Sequence, residues 1–377
     1  MKIEYCSKCV QINTRPGFKL DGYGVCAPCN YFSSLKGVDW QERLKEIEKH
    51  VNWAKINKSD LGYDCIISAS GGKDSTRLAL YARDNLKLNP LLVTTMIPPE
   101  MVSDIGIKNI DNLNKLGFDI ITVEPDPLTY KKLMKLAFSK FGNYAKATEL
   151  VLYASAPKIA IAFGIKIIFL GENNNLVYGD IVSSKDGGDA MDMINTNTLD
   201  GGDLRWSEEG GIEINKLFPY EYPTKANIIK LGIKIKYLGF YIKDFNNLTN
   251  GRLAIENGML ARLDSPENTG AIFNFDQLDE DFVHINQMLK FFKLGFGKAT
   301  DEACELIRLG QMTRDDGIQV VNDIDGKCNE SYIKLFCKYL EISTKDFWNI
   351  ANKYRNPDLW EKIEDRWEKR FSVGSSE

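Results

Sequence analysis

Residues 70–75 read SGGKDS, a set of side chains that suits the binding of a phosphate group. The two glycines let backbone N–H groups converge on an anion, and the serine hydroxyls add further donors. Lys73 brings a full positive charge, and Asp74 can hold Mg2+ against the same phosphates. The pattern has neither the spacing of the Walker A motif nor that of the Rossmann GxGxxG motif. The alternative interpretation is an ordinary turn without a ligand.

The cysteines near the start of the chain form a second group with a chemical pattern. Four of the eight cysteines lie in two CxxC pairs that are separated by 16 residues. This spacing is typical of a tetrahedral Zn2+ site with four thiolate ligands. Four protein ligands leave no open position, so the predicted role of the metal is structural. The alternatives are a disulfide pair and a redox-active CxxC. The predicted zinc ligands are Cys6, Cys9, Cys26 and Cys29.

The elements around the SGGKDS loop must place its donors at one edge of a sheet. An apolar segment of strand type precedes the loop, and a helix-like segment follows it. Strands alternating with helices along the next hundred residues predict an α/β fold with a doubly wound parallel sheet. Ligands bind such sheets at the carboxyl ends of the strands. The predicted strands are 63–69, 91–96, 119–123 and 165–170.

Strand, loop and helix together resemble the PP-loop, SGGxDS, of the ATP pyrophosphatase superfamily. Members of that superfamily bind ATP, adenylate a carbonyl-type oxygen and release pyrophosphate. The resemblance implies that the end of the second strand meets the adenine, while the end of the fourth strand faces the reacting centre. A capping or solvated carboxylate is the alternative for Glu172. The implied nucleotide contacts are Ser68, Ser70, Gly71, Gly72, Lys73, Asp74, Ser75, Thr94 and Gly171, and the implied catalytic residues are Lys73, Asp74 (also the Mg2+ ligand), Glu172 and Asn173.

The chain is predicted to have three parts. Residues 1–58 form the zinc module and a linking helix, and residues 59–218 form the ATP-binding α/β domain. Residues 219–377 show apolar residues at helical spacing and are predicted to be a mainly helical domain.

Two segments in the second half of the chain have open interpretations. The insertion at residues 179–213 has 7 glycines, 9 acidic and 2 basic residues, which indicates either a solvated loop or a lid over the site. Residues 293–301 form a Gly-hinged turn with Lys293 and Lys298. This turn could reach a phosphate, and the alternative is an ordinary loop between helices.

The positions of the cysteines and histidines limit which nucleophiles the predicted active centre could use. No cysteine lies between Cys65 and Cys304, which disfavours sulfur transfer at the predicted centre. The two histidines, His50 and His284, lie away from any cysteine motif, and residue 2 is Lys2. The chain therefore lacks the cysteine-based machinery of a glutaminase. Ammonia, the remaining simple nucleophile, must come from another subunit or from solution.

The combination of motifs resembles the N-acetyl sugar amidotransferase family (WbpG/PseA-like). The motifs are the CxxC-x16-CxxC pattern, the SGGKDS loop, Gly-Glu-Asn at 171–173, GFGK at 295–298 and IRLG at 307–310. The resemblance implies an ATP-dependent amidotransferase that adenylates the acetamido oxygen of an N-acetylated sugar, which is free or nucleotide-linked. Ammonia then displaces AMP to give an acetamidino sugar for O-antigen, lipopolysaccharide or flagellar glycan synthesis. The implied partners are a glutaminase subunit (HisH-like) and a cyclase-like barrel (HisF-like).

The composition excludes several classes of protein. With 48 Lys and Arg against 52 Asp and Glu, the net charge is −4 and no strong basic field covers the molecule, so we do not expect nucleic acid as a partner. The sequence shows no membrane-length apolar run and no secretion signal, so we expect a cytoplasmic protein.

Two alternatives to the amidotransferase function remain: a PP-loop tRNA-modifying enzyme of the thiolation or lysidine type, and a non-catalytic subunit that senses nucleotide.

Overall fold

The computed structural model describes residues 2–98, 100–171, 173–178, 188–195 and 199–375. Its centre is a five-stranded parallel sheet with the strand order β3-β2-β1-β4-β5. The predicted doubly wound α/β fold is confirmed, and the four predicted strands are the first four strands of this sheet. The strands are β1 (Cys65–Ser68), β2 (Pro90–Thr95), β3 (Ile120–Val123), β4 (Ile167–Leu170) and β5 (Lys234–Tyr237).

Two helices precede the first strand, others lie between the strands, and helices make up most of the second half of the chain. Up to β5 they are α1 (Ala27–Ser34), α2 (Trp40–Ile56), α3 (Lys73–Leu80), α4 (Asp104–Lys115), α5 (Pro127–Phe141), α6 (Ala145–Phe163), α7 (Asn174–Tyr178) and α8 (Lys225–Lys230). Beyond β5 they are α9 (Asn247–Glu256), α10 (Pro266–Thr269), α11 (Val283–Leu294), α12 (Lys298–Arg308), α13 (Arg314–Ile324), α14 (Glu330–Leu340) and α15 (Thr344–Lys353). An antiparallel hairpin of β6 (Trp360–Ile363) and β7 (Arg366–Lys369) follows α15.

Both faces of the sheet are covered, which explains why its central strands are continuous apolar runs. Ile67 of β1 packs with residues of α2 and α3 on one face, and Ile66 packs with residues of α6 on the other. Local signals set the helix limits: Asp39 caps α2 by accepting hydrogen bonds from two backbone N–H groups, and Gly164 ends α6 in the left-handed conformation. The sheet is therefore a rigid platform for the loop that follows β1.

Strand β5 extends the sheet beyond the predicted boundary at residue 218. It pairs with β4 at the edge of the sheet, so its sequence, KIKY, alternates in polarity instead of being fully apolar. Lys236 is nevertheless buried and pairs with Asp189, with 3.1 Å between Nζ and Oδ2. The part of the chain that we predicted to be mainly helical thus contributes one strand to the sheet.

The N-terminal module packs against the C-terminal helices. Ile12 lies in the same buried cluster as Phe296 and Leu359. The Arg314 side chain also donates to the module, with 3.2 Å between its Nε and the Cys9 carbonyl oxygen. The module is thereby held at a fixed position over the second half of the chain.

Two further observations concern the expected insertion and the membrane. Within the described part of the insertion, Trp206 is buried and its ring meets Phe141 edge to face, so the segment is anchored to the protein there, whereas residues 208–211 are exposed. Residues 196–198, like residues 179–187, lie outside the described part. Among the described helices, none combines the length and the hydrophobicity that a bilayer span requires.

Candidate functional site

The SGGKDS loop connects β1 to α3, and α3 begins at Lys73. Gly71 has a φ of +76°, and a Cβ at this position would lie 2.8 Å from the backbone of Asn109 and Ile110 in α4. Only glycine satisfies both conditions, because the loop turns in the left-handed region while α4 packs closely against it. The packing leaves the N-terminus of α3 at the carboxyl edge of the sheet, where such helices bind anions.

The remaining predicted loop contacts lie together around this helix end. Ser75 Oγ donates to the Gly72 carbonyl oxygen over 3.1 Å, and Ser70 Oγ lies next to Gly72. Ser68 is the last residue of β1. Thr94 is buried near the end of β2 and lines, with Ser70, a small cavity of about 50 Å3. The structure thus brings the predicted phosphate and adenine contacts to neighbouring strand ends.

Lys73 belongs to a buried cluster of charged groups. Its side chain is 4% exposed, and its Nζ lies 2.9 Å from Asp276 Oδ1 and 3.0 Å from Asp74 Oδ2. Lys298, the first residue of α12, pairs with the other carboxylate oxygen of Asp276. Two lysines therefore share one carboxylate directly beside the loop.

Electrostatics keep all three members of this cluster charged. Burial alone would lower the pKa values of Lys73 and Lys298, but the nearby carboxylates, chiefly that of Asp276, outweigh it and raise both. Burial would conversely raise the pKa of Asp276, but the two ammonium groups hold it well below its usual range. Glu302 is also buried, and its Oε1 lies 3.7 Å from Lys298 Nζ. Burial raises the pKa of Glu302 to about 7.

Asp74 and the end of β4 form the next part of the site. Asp74 Oδ1 accepts a hydrogen bond of 2.8 Å from Asn250 Nδ2, which fixes the carboxylate at the edge of the loop. A Cβ at Gly171 would lie 3.5 Å from the Cβ of Asp74, so the loop and the end of β4 are neighbours, as we predicted. Asn173 is buried, and its Oδ1 has no hydrogen-bond partner among the described residues. Glu172 lies outside the described residues.

A cavity of about 610 Å3 opens beside Lys73 and Asp74. Its volume lies in the range of small-molecule sites. Asn173, Asn250, Asp276 and Lys298 line it near the loop, and later residues of α12 together with residues of the N-terminal module complete the lining. The cavity therefore joins the predicted phosphate site to space that a second substrate can occupy.

The four N-terminal cysteines form a compact buried cluster. All are free thiols, and their Sγ atoms lie within 4.8 Å of one another. Two backbone N–H groups point at Cys6 Sγ, that of Lys8 within the same CxxC turn over 3.4 Å and that of Cys26 over 3.2 Å. The cluster has the ligand number and the ligand type to hold one metal ion, and a thiolate set of this kind suits zinc.

Three residues of the site were not identified as site residues from the sequence. Asp276 and Asn250 contact the loop from 203 and 176 residues away along the chain. Lys298 was noted only as one of two cations in the turn at 293–301, and it is this lysine that reaches the site. Lys293 instead contacts the Phe141 carbonyl oxygen over 3.5 Å. No local motif marks Asp276 or Asn250.

Comparisons with known proteins agree with this arrangement. The sequence profile described as "LPS biosynthesis protein WbpG-like, C-terminal domain" matches residues 269–372, which include Asp276 and Lys298. The uncharacterized protein MJ1599 of Methanocaldococcus jannaschii is 24% identical over 184 residues, which are 48% of this chain and 64% of that protein.

A solved structure is also similar, but only distantly. The U34-tRNA thiolase NcsA from Methanococcus maripaludis with its [4Fe-4S] cluster is 13% identical, with a TM-score of 0.29. The match covers 78% of this chain and 80% of the thiolase, and at this level it supports no conclusion about function. The profile match, in contrast, covers α12, which lines the cavity, and Asp276. Residues 269–372 are thus similar to a WbpG-like C-terminal domain, and in this chain they follow an α/β sheet that carries the SGGKDS loop.

Proposed function

We propose that this chain is an ATP-dependent amidotransferase that converts the acetamido group of an N-acetylated sugar into an acetamidino group. The observation that carries the proposal is the pair of buried lysines, Lys73 and Lys298, beside the PP-loop at the edge of a cavity of about 610 Å3. Such a site can hold a triphosphate next to a second substrate. The WbpG-like domain supports a sugar as that substrate.

The reaction has two steps in this proposal. The acetamido oxygen attacks the α-phosphorus of ATP, and the bond to the β-phosphate breaks, so that pyrophosphate leaves and an O-adenylyl imidate forms. Ammonia then adds to the imidate carbon, and the C–O bond breaks to release AMP with the former amide oxygen. An amide oxygen is a poor leaving group, and adenylation makes it a good one. The proton released from the amide nitrogen when the imidate forms, and the proton released from ammonia, go to solvent or to a basic group in the cavity.

The residues of the chain have separate roles in these steps. Lys73, Lys298 and the N–H groups at the start of α3 would stabilise the charge that accumulates on the leaving pyrophosphate. Asp74 would hold Mg2+, which spreads the phosphate charge when bound. Asn173, whose buried Oδ1 has no partner among the described residues, would orient the acetamido group, and we assign the same task to Glu172.

We further propose that ammonia comes from a separate glutaminase subunit, HisH-like, with a HisF-like barrel as a second partner. The support is in the sequence, because the chain lacks a cysteine and histidine arrangement that could hydrolyse glutamine. Zinc in the four-cysteine cluster would hold the N-terminal module in place and take no part in the reaction.

Product analysis tests the proposed reaction. The protein is incubated with ATP, Mg2+, ammonium and a UDP-linked N-acetylated sugar acid, and the nucleotides are separated by chromatography. We expect AMP, pyrophosphate and a slightly lighter sugar in which NH replaces O. Lys73→Met should lower kcat by roughly 100-fold or more, because it removes a charge from the developing pyrophosphate. Lys45→Met, at an exposed lysine of α2, is the control. Formation of ADP would contradict adenylation.

A further inference from the structure

Arg15 of the N-terminal module reaches the wall of the cavity beside the PP-loop. It lies between the two CxxC pairs in sequence, and its side chain is 7% exposed. Its Nε donates to Gln11 Oε1 over 2.8 Å, and its guanidinium lies over the Phe296 ring at 4.4 Å. The Nη2 of Arg15 donates to Asp301 Oδ1. These contacts hold the guanidinium against the first turn of α12.

Asp301 is the carboxylate whose charge Arg15 compensates. It lies one turn after Lys298 on α12, and both residues line the cavity. Its second oxygen accepts a hydrogen bond from Lys290 Nζ of α11 over 2.7 Å. Burial would raise the pKa of Asp301, but Arg15 and Lys290 outweigh burial and lower it to about 2. Asp301 is therefore negatively charged, and its position three residues after Lys298 would let it attract that ammonium group.

The backbone at the start of α12 is fixed by Asp325, which directly follows α13. Its carboxylate accepts hydrogen bonds from two backbone N–H groups at the start of α12, over 2.8 and 3.1 Å. The direction of the Lys298 side chain then depends on the carboxylates around its ammonium group. Asp276 pairs with that group beside the PP-loop. If Asp301 lost its cations, its carboxylate would compete with Asp276 for Lys298.

We propose that Arg15 is a positioning residue for the phosphate site. It compensates the charge of Asp301, so that Lys298 stays directed at the PP-loop and no uncompensated carboxylate repels a bound polyphosphate. This inference rests on the proposed function, in which Lys298 stabilises the pyrophosphate part of ATP. It goes beyond that function because it makes the N-terminal module a part of the phosphate site, in addition to the structural role that we predicted from its cysteines.

Binding measurements with the full chain test the proposal without requiring turnover. Two ligands are titrated by calorimetry in the presence of Mg2+: AMP, and α,β-methylene-ATP, which resists cleavage between the α- and β-phosphates. Arg15→Gln removes the positive charge and keeps a hydrogen-bonding group. It should raise the Kd of the ATP analogue by roughly 10-fold and that of AMP by less than about 3-fold, because AMP lacks the two phosphates that Lys298 would contact.

Asp301→Asn should act in the opposite direction. It removes the carboxylate and leaves the cations around it, so the Kd of the ATP analogue should fall by roughly 3-fold. A pair with a purely structural role would weaken binding in both variants. Arg15→Lys retains the charge, and the Kd of the ATP analogue should therefore stay within about 3-fold of the wild-type value.

Arg83→Gln is the matched control. Arg83 also pairs with an aspartate, Asp84, and its guanidinium lies over the Phe118 ring at 4.6 Å. It does not line the cavity, so both Kd values should remain unchanged. Circular dichroism verifies that each variant is folded before titration. If Arg15→Gln does not fold, the direction of the change in Asp301→Asn decides.

The outcomes separate this inference from the proposed function. Equal increases in both Kd values for Arg15→Gln, or weaker binding of the ATP analogue to Asp301→Asn, would overturn the inference. If the variants behave as expected but no AMP is formed from ATP with any acceptor, then the reaction is wrong and the role of Arg15 stands. If wild type forms AMP and Arg15→Gln binds the ATP analogue as tightly as wild type does, then the reaction stands and the role of Arg15 is wrong.

Discussion

The Asp276 carboxylate is the group whose removal should affect the site most strongly. It accepts from Lys73 Nζ over 2.9 Å and also pairs with Lys298, and all three side chains are at most 16% exposed. Asp276→Asn keeps the shape of the side chain but removes its charge. Two largely buried ammonium groups would then remain with fewer carboxylates to balance their charge.

The expected loss in the free energy of unfolding depends on the carboxylates that remain near each lysine. Removing one partner of a buried ion pair typically costs about 3 to 5 kcal/mol in the free energy of unfolding. Lys73 keeps Asp74 at 3.0 Å, and Lys298 keeps Glu302 at 3.7 Å. We therefore expect the lower end of that range, about 3 kcal/mol, for Asp276→Asn at pH 7. Because the folded state lowers the pKa of Asp276, this loss should shrink when the pH falls below about 4.

Urea denaturation followed by circular dichroism measures the loss, with and without Mg2+ and ATP. Phosphate groups beside Lys73 and Lys298 would replace the missing negative charge, so ATP should stabilise the variant more than it stabilises wild type. Asp111→Asn is the control, because Asp111 and Lys115 form an exposed pair and its loss should cost less than about 1 kcal/mol. A loss below about 1 kcal/mol in Asp276→Asn, or an equal effect of ATP on both proteins, would refute the reasoning.

Three further predictions address the loop, the buried acid and the metal cluster. Gly71→Ala should destabilise the protein by about 3 kcal/mol and abolish ATP binding in a fluorescence titration, because the new Cβ would clash with α4 and the residue would keep a positive φ. Gly62→Ala is the control: it also has a positive φ but lies in open space, so it should cost only about 1 kcal/mol. Burial raises the pKa of Glu302 to about 7, so wild type should lose stability as the pH rises from 4.5 to about 7. Glu302→Gln lacks this titration, so its free energy of unfolding relative to that of wild type should increase across this range, by up to about 3 kcal/mol. Urea-unfolding free energies of the two proteins that change with pH in parallel would contradict this. Cys6→Ser should lose zinc in elemental analysis, whereas Cys328→Ser, outside the cluster, should retain it; one zinc per chain in both variants would disprove the four-thiolate site.

The features that could be predicted from the sequence are those fixed by residues close together in the chain. The SGGKDS loop, the four strands around it and the two CxxC pairs each depend on a short segment. The helical character of the segment from α11 to α15 was also predicted, because the apolar residues there recur at helical spacing. The strand β5 was missed, since a short edge strand with two lysines has no continuous apolar run.

The contacts that complete the site are set by tertiary packing. Asp276 lies in a loop without a motif and meets Lys73 only because α12 and the loop before α11 fold over the sheet. The N-terminal module was predicted as a separate unit, yet its surface forms one wall of the cavity. A metal-ligand spacing predicts the metal site itself and contains no information about what the module packs against.

The fate of the acetamido oxygen tests the proposed reaction most directly. The acceptor is prepared with 18O in the acetamido group, incubated with ATP, Mg2+ and ammonium, and the nucleotides are analysed by mass spectrometry. Attack of that oxygen on the α-phosphorus predicts that the label appears in AMP and that pyrophosphate is unlabelled. Unlabelled AMP, or label in inorganic phosphate together with ADP, would contradict adenylation of the sugar amide.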